Sequence, residues 1–192
     1  DAWKHNLFLS RYGDEFDLND LGFMKRNDIT EVYGSSRYKR LKYDSDSILL
    51  SSSTKLDFGY SENSAGLRLE SWLGFENEWD FRSTRSIEFN FGVFSSGWDD
   101  RITRGNGIAA YSPGYWSYAE YRSPQGDQFN YFAALEADYN PEQELSWKLS
   151  FGPEVYATDS LTLSTFFSFG RKEHWLIWDS DTHQLAGYDS AF

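Results

Sequence analysis

Between Leu67 and Phe81 the chain alternates in character. Leu67, Leu69, Leu73, Phe75, Trp79 and Phe81 fall on one side, and Arg68, Glu70, Glu76, Glu78 and Asp80 fall on the other. A period of two marks a β-strand with one apolar and one polar face. After Arg82-Ser83-Thr84 the pattern resumes with Ile87, Phe89, Phe91 and Val93 against Glu88, Asn90 and Gly92, which predicts a hairpin. The same rhythm runs from Phe129 to Tyr139, turns at Asn140-Pro141-Glu142-Gln143, and continues from Leu145 to Phe151. Beyond Thr158-Asp159-Ser160 it predicts a strand with Leu161, Leu163, Phe167 and Phe169 on one side. Weaker alternation predicts strands over Trp3–Tyr12, Ile29–Tyr43, Ile48–Tyr60, Ile108–Tyr121 and Lys172–Trp178. The pattern thus predicts an all-β, antiparallel chain of about 8–10 strands, with no helical periodicity competing.

Several of these runs reach ~10 residues or more, the length a tilted strand needs to cross a bilayer. Strands of soluble proteins centre on ~5–6 residues. Aromatic residues gather near the ends of the runs, at Tyr60, Trp79, Phe81, Trp98, Tyr121, Tyr139, Trp175 and Trp178. Rings with an apolar body and a polar tip favour that depth in a membrane. Turn lengths alternate imperfectly. Arg82–Thr84 is short and Gly97–Gly107 long, but Arg122–Asp127 is longer than Asn140–Gln143. That mismatch, with Pro113-Gly114 breaking the pattern, leaves room for a further strand between Ile108 and Tyr121.

Composition sharpens this picture. Phe, Tyr and Trp make up 19% of the 192 residues, yet mean hydropathy is −0.65. A membrane-spanning barrel reconciles the two values, because only the outward half of each strand is apolar and aromatic girdles flank it. No apolar run approaches the ~18 residues of a transmembrane helix. The formal net charge of −12, from 18 basic and 30 acidic side chains, argues against nucleic acid as a partner. Cysteine is absent, which excludes disulfides and thiolate metal sites. A soluble β-sandwich, or a barrel of the lipocalin kind, alternates in the same way and stands as the alternative.

Candidate chemistry is sparse. Asp17, Asn19, Gly22 and Asp28 fall at positions one, three, six and twelve of an EF-hand loop, but Leu21 occupies the fifth, where an oxygen ligand belongs. A turn with Asp and Asn capping backbone N–H groups accounts for the segment better. Glu76, Glu78 and Asp80 share one strand face. Neighbours on such a face stand ~6.6–6.8 Å apart, a spacing compatible with an inverting pair of carboxylates, or simply with a solvated face. His5, His174 and His183 show no metal-ligand spacing, and Arg104-Gly105-Asn106-Gly107 lacks the Lys-Ser/Thr of a phosphate loop. No catalytic residue, metal site or cofactor is therefore expected. Trp72, Trp98, Tyr115 and Trp116 are candidates for stacking on sugar rings, or equally for interfacial anchoring.

The run Phe16-Asp17-Leu18-Asn19-Asp20-Leu21-Gly22-Phe23, followed by Arg26-Asn27-Asp28, resembles the signature that opens the barrel of the DUF5916 family, a domain of unknown function. The preceding strand around Trp3–Tyr12, the later Thr103-Arg104-Gly105 and the strand–turn rhythm onward are similar as well. Leu18 stands where the family pattern has Pro, and Asn106-Gly107 where it has a tighter Gly-x-Pro loop. The turn residues that carry the resemblance are Phe16, Asp17, Asn19, Asp20, Gly22, Phe23, Arg26 and Asp28. It implies an outer-membrane β-barrel that usually follows a module similar to family-9 carbohydrate-binding domains, with no catalytic residues to carry over.

Together these readings predict one domain over residues 1–192, truncated at one or both ends. It would be an antiparallel up-and-down transmembrane β-barrel, or a fragment of a larger one, in the outer membrane of a Gram-negative bacterium. Its expected partners are the lipid bilayer and carbohydrate, in a passage or anchoring role. A soluble carbohydrate-binding module and a β-rich glycoside hydrolase are the rival functions.

Overall fold

A computed structural model of the chain describes residues 1–15, 28–99, 108–124, 126, 128–142, 144–158, 160–171, 175–179 and 184–188. Every regular element among them is a strand. In chain order these are β1 (Ala2–Tyr12), β2 (Ile29–Arg40), β3 (Leu49–Glu62), β4 (Arg68–Phe81), β5 (Ser86–Phe94), β6 (Gly97–Asp99), β7 (Ala109–Tyr111), β8 (Gly114–Arg122), β9 (Phe129–Asn140), β10 (Glu144–Thr158), β11 (Leu161–Ser164), β12 (Phe167–Arg171), β13 (Trp175–Asp179) and β14 (Gln184–Tyr188). One ten-stranded sheet runs β1-β2-β3-β4-β5-β8-β9-β10, and β11 and β12 both pair with β10. Each ladder is antiparallel and joins strands that follow one another along the sheet, which makes an up-and-down meander. Two small hairpins, β6–β7 and β13–β14, lie outside the main sheet. No ladder joins β1 to β11 or β12 among the described residues, so the sheet is open rather than a closed barrel.

The long alternating runs become long strands, with the hairpin at Arg82–Thr84 in place. Its geometry is tight: Phe81 N donates to Arg85 O at 3.0 Å and Thr84 N to Phe81 O at 2.9 Å. Thr84 takes φ 61°, a left-handed conformation unusual for a β-branched residue. The run expected over Ile108–Tyr121 divides at Pro113. Its first part, β7, leaves the main sheet to pair with β6, and its second part is β8. This side hairpin accounts for the length of the connection 95–113, while 123–128 remains longer than 141–143. The connections 13–28, 63–67, 95–113 and 141–143 share one end of the sheet, and 41–48, 82–85, 123–128 and 159–160 share the other. Both long excursions, 13–28 and 95–113, are at the first end. The segment predicted as one strand over 161–169 is likewise two, broken at Thr165-Phe166 opposite Gly152-Pro153. Pro153 has no N–H to offer the ladder, which favours a break there.

The register places all the apolar faces together. Leu56, Phe75 and Phe91 are successive cross-strand partners, as are Phe58, Leu73, Val93 and Tyr115, and then Tyr139 and Leu145. Nothing covers this face among the described residues. Apart from β6 against β4, all substantial contacts between elements join ladder neighbours, so no second layer packs on the sheet. Leu7 is 76% exposed, Leu73 55%, Leu135 48% and Phe169 72%. Among the described residues, the buried hydrophobic side chains are Ile29, Leu69, Ala109 and Ala134. One polar insert on the apolar face satisfies itself. The Asn77 amide donates to Thr54 Oγ1 and, at 3.1 Å, to the Ser53 carbonyl, and it accepts from the Trp79 indole N–H at 3.1 Å.

Burial belongs to the polar face instead, at Ser53, Asp57, Glu120, Asn130 and Ser150. With no second layer to cover them, these residues are crowded by their own sheet bending toward that side. Glycines permit the bend. Gly59 faces Trp72, Gly92 faces Trp116, and Gly152 faces Phe132 across their ladders. In each pair the aromatic ring fills the space a Cβ would take. Large rings laid over glycines are a device for strands to curve while staying packed.

Candidate functional site

The inner, polar face carries the candidate chemistry, and it divides into an aromatic region and a charged one. Toward the end with the long connections, Tyr33 and Trp72 lie with ring centroids 5.8 Å apart. Trp72 meets Trp116 edge-on at 6.1 Å, and Phe94 stacks on Trp116 at 6.4 Å. These rings come from four strands, and the ladder register sets them at one level. A cavity of about 300 Å³ opens beside Trp72, lined by Phe8, Glu31, Tyr33, Gly59 and Ser61 among others.

Below the rings, the face is ionic. Lys55 Nζ donates to Asp57 Oδ2 at 2.9 Å and to Glu76 Oε1 at 2.7 Å, and Arg37 reaches Glu76 Oε2 at 3.0 Å. Lys55 and Glu76 are direct cross-strand partners, so the pairing follows from register. Further along, Lys148 pairs with Glu136 at 2.6 Å and Arg122 with Glu120 at 2.6 Å. Tyr118 donates its hydroxyl to Glu120 at 2.7 Å. Glu78, Glu88 and Glu120 are successive cross-strand partners and form an acidic row.

The three carboxylates on one face of β4 are thus engaged differently. Glu76 is held by two cations, Asp80 accepts a hydrogen bond from Ser51 at 2.5 Å, and Glu78 is exposed. No group of three or more His, Asp or Glu side chains is arranged to hold a metal ion among the described residues. His5 sits on β1 and stacks on Trp3 at 5.7 Å.

Of the four candidate stacking residues, the fold unites Trp72 and Trp116 on the inner face. Tyr115 is on the opposite, apolar face, stacked between Tyr139 at 5.5 Å and Phe91 at 6.4 Å. Trp98 belongs to the side hairpin, opposite Ala110. Tyr33 and Phe94 join the inner cluster without having been singled out by sequence. The signal available was a ring on the polar side of its strand, as at Phe94 beyond Glu88, Asn90 and Gly92. Of the turn motif, Phe16, Asp17, Asn19, Asp20, Gly22, Phe23 and Arg26 lie outside the described residues. Asp28, with φ 50°, accepts a hydrogen bond from Ser64 N at 2.9 Å, which ties its segment to the turn 63–67.

The ends of the sheet are pinned by similar links. Ser112 N donates to Glu142 Oε1 at 2.9 Å and Arg68 donates to Ser96 O at 2.7 Å, and Tyr111 donates its hydroxyl to Leu69 O. At the opposite end, Arg82 donates to the carbonyls of Ser47, Asp44 and Tyr43, which fastens 41–48 to the β4–β5 turn.

The class these features define is a single-layer antiparallel sheet, polar and crowded on its inner face and apolar on its exposed one. The family model for DUF5916, a domain of unknown function, matches residues 1–185, and the chain belongs to that family. No curated protein and no solved structure matches it.

Proposed function

We propose that the chain forms the wall of a transmembrane β-barrel in a bacterial outer membrane, with its polar face lining a water-filled passage. The observation that carries this reading is the inverted distribution of side chains. Leucines and phenylalanines stand outward and uncovered, while Asp57, Glu120 and Asn130 are buried on the inner side. In water, leaving a large apolar side chain exposed rather than buried forgoes about 1.5–3 kcal/mol, and this sheet would incur that loss on strand after strand. Lipid removes the penalty. Ring placement agrees: Trp3, Tyr38, Trp79 and Tyr121 stand toward one edge of the apolar face, Tyr60, Tyr115 and Tyr139 toward the other, and the row Leu56, Phe75 and Phe91 lies between. Tyr131 and Tyr139 are eight residues apart, about 27 Å along the strand. A strand tilt of about 40° reduces this to about 21 Å, close to the ~25 Å apolar band of such barrels. In lipid every backbone group must be paired, so the edges at β1 and at β11–β12 would be closed by additional strands.

What passes or docks inside is polar. The Tyr33–Trp72–Trp116 cluster, beside its cavity, supports stacking on sugar rings, in keeping with a glycan-linked passage or anchor. The reading is non-enzymatic: Glu76, of the candidate pair Glu76 and Glu78, is committed to Lys55 and Arg37.

The test is reconstitution of the full chain into phosphatidylcholine vesicles. The expected outcome is insertion, with heat-modifiable migration on SDS gels and strands protected from protease. A folded monomer that stays in solution without lipid or detergent would overturn the proposal.

A further inference from the structure

The break in the last part of the sheet has a chemical consequence. Opposite Gly152-Pro153 the partner strand parts between β11 and β12, resuming only where Glu154 faces Ser164. A cavity of about 220 Å³ opens here on the inner face, lined by Arg122, Asn130, Phe132, Glu154, Ser164 and Thr165 among others. Asn130 is 3% exposed, and neither its Oδ1 nor its Nδ2 makes a hydrogen bond of good geometry among the described residues, although the Tyr156 hydroxyl lies close to it. A buried polar group without a partner costs about 1–3 kcal/mol. The backbone around Asn130 is nevertheless held firmly. Ser123, next to it across the 123–128 turn, donates its N–H to Tyr131 O and accepts from Tyr131 N, both at 2.8 Å. The backbone that carries the side chain is therefore anchored, and the amide's hydrogen-bonding capacity is largely unused.

We propose that this cavity is a binding site for a single neutral sugar ring, recognised through adjacent hydroxyls. A carboxamide offers one acceptor and two donors side by side, which suits two neighbouring hydroxyls that each donate and accept. Ser164 and Thr165 add further hydroxyls. Charge favours a neutral ligand over an anion. The Arg122 guanidinium is engaged by Glu120 at 2.6 Å, and among the described residues the Glu154 carboxylate takes a neutral partner, the Tyr156 hydroxyl, at 2.8 Å, so an incoming anion would meet net negative charge. The Phe132 ring, stacked on Phe166 at 6.1 Å, supplies the apolar wall that a sugar face needs. The volume is below the ~300 Å³ lower bound for drug-sized ligands and suits one ring rather than an oligosaccharide. The inference rests on the inner face being water-filled, as the barrel reading has it.

The test uses the full chain in detergent micelles and a panel of neutral hexoses, pentoses and N-acetylhexosamines, with binding read by saturation-transfer NMR and calorimetry. The expected result is millimolar binding of at least one sugar, weakened tenfold or more in Asn130→Leu, which keeps the shape and removes both polar atoms. Glu154→Gln should weaken the same sugar less while preserving its rank in the panel. Circular dichroism and the vesicle-insertion assay report folding and the barrel reading independently. Proper insertion with no sugar bound, or with Asn130→Leu binding as well as the parent, overturns the site and leaves the barrel intact. If Asn130→Leu fails to fold, Ser164→Ala in the same assay decides, with unchanged binding counting against the site.

Discussion

Gly92 and Trp116 face each other across the β5–β8 ladder, and the indole lies where a Cβ on Gly92 would stand. The same Trp116 ring is packed against Phe94 and Trp72, so it has little freedom to retreat. Gly92→Val should destabilise the sheet by about 1–3 kcal/mol, as expected for overpacking, and disorder the inner aromatic cluster. Denaturant unfolding followed by tryptophan fluorescence measures both. Gly92→Val with wild-type stability and emission would show that the ring is not seated on the glycine.

Lys55 is the hinge of the ionic network, between Asp57 and Glu76. Its partner Asp57 is buried, so Lys55→Met strands a carboxylate away from water. The expected cost is about 1–3 kcal/mol, with much of it recovered in Lys55→Met/Asp57→Asn because the charge left behind is then removed. A double-mutant cycle on unfolding free energies reads the coupling directly. Additive single effects would mean that solvent, not Lys55, satisfies Asp57.

At the β4–β5 turn, Thr84 holds φ 61°. That region costs an L-residue roughly 1 kcal/mol or more, and costs glycine nothing comparable. Thr84→Gly should therefore be neutral or stabilising by up to about 1 kcal/mol, an unusual sign for a glycine substitution in a β-protein. A clear loss of stability would argue against this turn geometry.

The two faces of β4 should respond oppositely to one charge. Leu73 points out from the apolar face, in the row with Val93 and Tyr115, whereas Glu78 lies on the inner face opposite Glu88. Leu73→Arg should be destabilising by about 1 kcal/mol or more and impair insertion if lipid covers that face. Glu78→Arg should be neutral or favourable, because it replaces a like-charge neighbour by an opposite one. Stability in lipid vesicles for the two variants separates the readings sharply: for a water-exposed Leu73, the arginine would be tolerated.

The long strands, their antiparallel order and the identity of the two faces were legible in the chain, because a period of two is a local property and needs no knowledge of partners. Leu67 to Phe81 and Phe129 to Tyr139 declare their faces residue by residue. Other features depended on register, which joins positions far apart in sequence. Nothing near Trp72 or Trp116 announces that each will lie over a glycine, nor that the two will meet, while Tyr115 turns to the other face beside Tyr139. The division of 108–122 into a side hairpin strand and a sheet strand turned on Pro113, whose effect alternation alone does not resolve. The Asn130 cavity was hidden for the same reason. It exists because Gly152-Pro153 interrupts one ladder beside a residue of the neighbouring strand, and that adjacency arises only when the sheet is assembled.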